Sequence, residues 1–222
     1  MTTLDLRNLA FEDWVRAIFD HPAPATPDGE EWYWTDLDFE LAADPDQQIE
    51  HLSEFCRDAS FLLDSFSVRQ IDQGLWLIFG SAGDDEFYGH LWNADVPWEL
   101  RSGCIRSIPR LWPALFERAD VGAMSYMLWD SLAYDYQSYE RQPEYDFEAK
   151  RVQDAMFAAL EEQLASNVPA TQYAALHGLG HLRHAGTVEL LGRYMNRPDI
   201  DDELRRDARL TSEAVVSGTG VL

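Results

Sequence analysis

Residues 171–204 carry the clearest structural pattern of the chain and read TQYAALHGLGHLRHAGTVELLGRYMNRPDIDDEL. Small and apolar residues dominate positions 174–182, and a second apolar set follows a short segment that ends at Gly186. This spacing is typical of one buried face on each of two short helices, so the sequence predicts helices over residues 171–183 and 187–196 joined by a tight turn. We expect the two helices to pack antiparallel and to bury five residues between them, namely Ala174, Leu179, Leu182, Val188 and Leu191.

The same segment resembles a HEAT-type repeat, in which two antiparallel helices stack on their neighbours. Ala174 and Ala208 lie 34 positions apart in the sequence, which is close to the length of such a repeat. The resemblance covers residues 169–217 and implies an α-solenoid character with a concave or edge surface that binds another macromolecule. HEAT motifs are hydrophobic templates, so the resemblance implies an architecture and no particular activity.

Upstream of this unit the sequence predicts further short helices. Apolar residues from Phe11 to Phe19 follow a helical period, and Asn8 is the expected N-cap. Asp44 followed by Pro45 is a typical helix start. Further helical patterns cover residues 71–79, 98–112, 124–134, 147–166 and 201–217, with prolines at 109 and 113 expected to kink or split the second of these. No long segment alternates with a period of two. We therefore expect an all-α helical array of short antiparallel pairs, forming a single helical domain over residues 1–222.

The chain is strongly acidic. It has 40 Asp and Glu against 17 Lys and Arg, a formal net charge of −23. Residues 1–100 contain 22 of the acidic side chains and 4 of the basic ones, so this part is the more acidic. Such a charge disfavours nucleic acid and anionic membranes as partners and favours a basic protein.

The start of the chain, MTTLDLRNLAFEDW, has acidic residues and no long apolar run, so it does not resemble a signal peptide. Cys56 and Cys104 are isolated within apolar helical patterns, which is typical of buried free thiols. These features predict a cytoplasmic protein without a disulfide framework.

Three histidines, His177, His181 and His184, recur at helical spacing. Imidazoles at i and i+4 share one helix face and could bind zinc, but seven residues of helix separate His177 from His184 by about 10 Å along the axis. A pair from His177 and His181 with an acidic residue from elsewhere is the more feasible metal site. No Glu stands between the two histidines as in the HExxH motif. We therefore expect a structural role without bound metal, and a metal-dependent hydrolase is the alternative.

A second candidate site lies in residues 30–40. Trp32 and Trp34 stand beside Asp36, Asp38 and Glu40, and acidic side chains around aromatic anchors are typical of interfaces for basic proteins. Paired carboxylates beside aromatic residues also fit a glycosidase, and a solvated face over core aromatics is the third possibility.

Phosphate-loop, GxSxG, CxxC and dinucleotide-binding motifs do not occur in the sequence. The sequence thus favours a non-enzymatic interaction module without a cofactor, which engages a basic partner through Trp32, Trp34, Asp36, Asp38 and Glu40. The alternatives are the His177/His181 hydrolase and a structural scaffold.

Overall fold

The structure is a computed structural model that describes residues 3–24, 26, 29–34, 40–80 and 86–219. Most of these residues lie in helices. The α-helices are α1 (Phe11–Phe19), α2 (Pro45–Arg57), α3 (Leu62–Ser65), α4 (Val68–Phe79), α5 (Trp98–Ser107), α6 (Met124–Gln137), α7 (Phe147–Leu164), α8 (Pro169–Leu182), α9 (Thr187–Met195) and α10 (Asp202–Ser217). Short 3-10 helices cover Trp32–Trp34, Tyr88–Trp92 and Ile108–Arg110, and a π-helical turn covers Trp112–Phe116. The mainly helical character predicted from the sequence is confirmed.

Two compact units divide the chain, Met1–Met124 and Ser125–Leu222. No helix of the described part of the chain is long and apolar enough to cross a membrane.

In the first unit, α2 packs against α5 and α1 packs against α4. The indole of Trp14 is fully buried and donates from Nε1 to Oε1 of Gln48 at 3.0 Å. Gly74 allows the close approach of α1 and α4, because a Cβ there would lie 2.3 Å from the ring of Phe19. Both cysteines are free and buried, as predicted.

Two features of this unit differ from the sequence-based expectation. A parallel two-stranded sheet pairs β1 (Thr3–Asp5) with β2 (Glu40–Ala42); strands of three residues are too short to show a period of two. Asn8 does not cap α1. Its φ is +61°, and its backbone N–H donates to Oε1 of Gln47 at 2.8 Å, while Ala10 occupies the N-cap position.

The Asp44 side chain caps α2 as expected, because it accepts a hydrogen bond from the backbone N–H of Gln47 at 3.1 Å and Pro45 follows at the first helical position. Pro109 and Pro113 also act as predicted. The regular α-helix ends at Ser107, and the chain continues in 3-10 and π geometry.

In the second unit, α8 packs against α7 and α10, and α10 packs against α9. Buried polar side chains join three of its helices. Trp129 in α6 donates from Nε1 to Oε1 of Gln163 in α7 at 2.6 Å, and Gln163 Nε2 donates to the carbonyl of Thr171 in α8 at 3.2 Å.

Four of the five residues expected in the core of this unit are fully buried, namely Ala174, Leu179, Leu182 and Leu191. The prediction for Val188 is wrong, since this side chain is 41% exposed. The buried positions of α9 are Thr187, Leu190, Leu191 and Tyr194. This set follows the i, i+3, i+4, i+7 spacing of one face, and Val188 lies about 100° around the helix from Thr187.

Candidate metal centre

Helices α6 and α8 bring together three side chains that can ligate a metal ion, Asp130, His177 and His181. His177 and His181 are four residues apart on α8, so both imidazoles project from the same face. Their Nε2 atoms are 3.1 Å apart, and Oδ1 of Asp130 lies 3.1 Å from Nε2 of His181. The donor atoms of all three residues lie within 4.8 Å of one another. Asp130 is thus an acidic side chain from another helix that could complete a metal site with the two histidines.

These separations fit a common coordination sphere. Zinc–nitrogen and zinc–oxygen bonds are about 2.0–2.2 Å long, so two ligand atoms of a tetrahedral site stand roughly 3.3 Å apart. The two 3.1 Å separations are within a few tenths of an ångström of that value. The third separation, between the donor atoms of Asp130 and His177, is at most 4.8 Å.

The unpartnered carboxylate oxygen of Asp130 also favours a bound cation. Nδ1 of His177, Nδ1 of His181 and Oδ1 of Asp130 are buried and have no hydrogen-bond partner among the described residues. Oδ1 therefore approaches His181 at contact distance without forming an aligned hydrogen bond. A buried oxygen without a partner is costly, and a cation held by Oδ1 and the two Nε2 atoms would pair it, while both Nδ1 atoms would stay without a partner in the described part of the chain.

Burial keeps both imidazoles in the form that binds metals. His177 is 6% and His181 5% exposed. Desolvation lowers the pKa of each to about 4 from an ordinary value near 6.5, and the neighbouring His181 lowers the pKa of His177 further. Desolvation also raises the pKa of Asp130, and His177 opposes that rise. At neutral pH the two histidines are therefore neutral ligands.

A glycine and a tyrosine shape the surroundings of the cluster. A Cβ at Gly178 would lie 2.6 Å from Cβ of Trp129, the residue before Asp130, so this glycine allows α8 to approach α6. The ring of Tyr126 stacks on His177 with the ring centroids 4.2 Å apart and is 40% exposed. The cluster thus lies directly beneath a partly exposed aromatic ring.

The third candidate histidine belongs to a different contact. His184 Nε2 lies 2.9 Å from Oδ1 of Asp154, its ring stacks on Phe157, and its Nδ1 accepts from the backbone N–H of Gly186 at 3.0 Å. The structure does not bring His184 to the cluster, because α8 ends at Leu182 and Arg183 takes a left-handed conformation that turns the chain away before His184.

The acidic and aromatic candidates of the first unit are partly described. Asp36 and Asp38 lie outside the described residues, and for Glu40 the structure gives only its backbone in β2. Trp32 stacks on His21 with the ring centroids 3.6 Å apart, and Trp34 is 50% exposed.

Asp130 was not among the residues predicted from the sequence. One usable signal existed, because Asp130 is the sole charged residue in the apolar stretch from Met124 to Tyr134. Nothing in the sequence pairs it with histidines more than forty positions away.

The sequence matches no protein-family model, and no curated protein and no solved structure matches the chain.

Proposed function

We propose that this protein binds a divalent transition-metal ion, with zinc as the best fit, through Asp130, His177 and His181, and that it uses a metal-bound water for hydrolysis. The observation that carries the proposal is that Nε2 of His181 lies 3.1 Å from both Nε2 of His177 and Oδ1 of Asp130, with all three donor atoms within 4.8 Å of one another. The donor set of two imidazoles and one carboxylate is a frequent set for zinc and for other first-row metals.

The number of ligands separates a catalytic centre from a structural one. Structural zinc sites are closed by four protein ligands, whereas catalytic sites use three and keep a position for water. The described residues supply three. Metal coordination lowers the pKa of bound water towards 7, which generates a nucleophile at neutral pH. The side chain of Asp130 is 23% exposed although its Oδ1 is buried, so the cluster lies close to the surface of the protein.

Metal content tests the first part of the proposal. We expect protein stripped with a chelator and dialysed against zinc to retain one ion per chain by elemental analysis. Asp130→Asn and His177→Asn should abolish retention, because each removes one of three ligands. His184→Asn is the matched control, since it removes a histidine just beyond α8 that lies outside the cluster, and it should bind zinc normally. Loss of zinc in all three variants, or in none, would contradict the site.

Hydrolysis tests the second part. Chromogenic carboxylate and phosphate esters should be cleaved by the zinc-loaded protein faster than by the metal-free protein, and Asp130→Asn should remove the difference. If the protein binds one zinc ion per chain but cleaves no ester in a metal-dependent way, the metal site is supported and the hydrolase function is refuted.

A second candidate function is the binding of a basic protein by the acidic first unit. The half-exposed indole of Trp34 supports it, because exposed tryptophan is a frequent anchor at interfaces. Association that ignores both salt concentration and Trp34→Ala would count against this function. The HEAT-like pairing of α8 with α9 remains a prediction from the sequence, and so does the cytoplasmic location.

A further inference from the structure

A cleft of about 620 Å³ lies on the first unit between α1, the end of α2 and the segment around α3. Its apolar wall is formed by Phe11, Val15, Phe61 and Phe66. The rings of Phe11 and Phe61 meet edge to face with their centroids 6.0 Å apart. Clefts of this volume are typical of binding sites.

The rim of this cleft is negatively charged. Glu12, Asp20 and Glu54 line it and are all solvent-exposed. Arg16 is the basic residue of the lining, and its Nη2 lies 3.1 Å from Oδ1 of Asp13. Among the described residues no ion pair engages the three carboxylates of the lining. The apolar wall is therefore bordered by carboxylates that are available to a cationic partner.

A second cleft, of about 440 Å³, extends the surface across α2 to α5. Glu54 lines both clefts, and Glu50 and Glu99 add two more carboxylates. Arg57 is the basic residue here, and its guanidinium donates to the hydroxyl of Ser53 at 3.3 Å. The two clefts together form one acidic surface with an aromatic wall at one end, which we call the α1–α2–α5 surface.

We infer that the α1–α2–α5 surface binds a basic peptide segment of a partner protein, with an apolar side chain in the phenylalanine-lined cleft and Lys or Arg side chains along Glu12, Glu54 and Glu99. Charge complementarity selects the sign of the partner. The shared Glu54 and the two adjoining clefts favour an extended chain over a small organic cation, which would occupy one cleft alone. The inference depends neither on the metal centre nor on Trp34.

The test uses a fluorescently labelled synthetic peptide with leucines flanked by arginines, and measures its binding to the full chain by fluorescence anisotropy. Two comparison peptides replace every arginine with glutamate or every leucine with serine. We expect the first peptide to bind, the glutamate peptide not to bind, and the serine peptide to bind about tenfold more weakly, since loss of apolar burial worth about 1.4 kcal/mol corresponds to that factor.

Substitutions in the α1–α2–α5 surface test whether the peptide binds there. Glu54→Lys should weaken binding of the arginine–leucine peptide at least about tenfold, whereas Glu162→Lys should change it less than about twofold. Both residues are exposed on helices, and both substitutions change the net charge equally, so Glu162→Lys controls for the general field of an acidic protein. Phe61→Ala should weaken the leucine peptide and leave the serine peptide unchanged, with far-ultraviolet circular dichroism confirming the fold. Equal effects of the two lysine substitutions, or equal binding of the leucine and serine peptides, would overturn the inference.

Discussion

Replacing Gly178 by alanine should separate α8 from α6 and weaken the metal centre. The added Cβ would lie 2.6 Å from Cβ of Trp129 and 2.9 Å from Cδ2 of Leu160. Carbon atoms pack at about 3.5–4.0 Å, so the helices must move apart by roughly 1 Å. Cβ of Trp129 is fixed to the backbone and cannot rotate away. Asp130 follows Trp129 directly, so the same movement lengthens its 3.1 Å approach to His181.

The free energies decide the sign of the effect. Overpacking costs about 1–3 kcal/mol, and the better helix propensity of alanine returns about 1 kcal/mol, so we expect a net loss of up to about 2 kcal/mol. Gly192→Ala is the matched control, because a Cβ added at this helical glycine would have no neighbour within 4 Å. At position 192 only the helix propensity changes, so alanine should raise the free energy of unfolding by about 0.5–1 kcal/mol.

Urea unfolding followed by circular dichroism should therefore separate the two alanine variants by the overpacking cost of about 1–3 kcal/mol, because both gain the same helix propensity, with Gly178→Ala the less stable. A zinc titration of the folded proteins should show weaker binding for Gly178→Ala alone. If the two variants were equally stable, the close packing of α8 on α6 would be refuted. If Gly178→Ala bound zinc as tightly as the unmodified protein, the dependence of the centre on this packing would be refuted.

Further predictions concern pH, capping and the core. Since the pKa values of His177 and His181 are about 4 in the folded state and near 6.5 in the unfolded state, the unfolded chain binds more protons between these values. The stability of the metal-free protein should therefore be full above pH 6.5 and fall as the pH decreases towards 4, by about 3 kcal/mol or more for protonation of the pair as a whole, which thermal melts across this range would detect; the double substitution to glutamine should remove the decrease. Asp44→Ala should lower the unfolding free energy by about 1 kcal/mol in urea titrations, because the backbone N–H of Gln47 loses its acceptor. Leu179→Asp should unfold the second unit, because a carboxylate without a partner would replace a fully buried side chain; a far-ultraviolet spectrum and melting curve like those of the unmodified protein would contradict this.

Local chemistry explains which features the sequence predicted. The apolar period of α1 identified Trp14, Val15 and Ile18, and all three are buried. Asp44 and Pro45 marked the start of α2 because capping involves neighbouring residues alone. Val188 was misassigned because it is apolar but lies one position off the buried face of α9.

The metal cluster shows where such reasoning ends. The spacing of His177 and His181 was visible, since four residues of helix fix their common face. Asp130 joins them through the packing of α6 on α8, and that packing depends on the absence of a side chain at Gly178. Tertiary proximity of this kind leaves no periodic signal in the sequence.

The division of the ligands between two helices makes the centre a reporter of folding. Any state in which α8 is formed presents both imidazoles, because they are neighbours on a single turn. The carboxylate of Asp130 is added only when α6 has docked. A spectroscopically active ion such as Co²⁺ would therefore distinguish a two-donor from a three-donor environment, and its absorption during refolding would time the docking of α6 separately from the formation of α8.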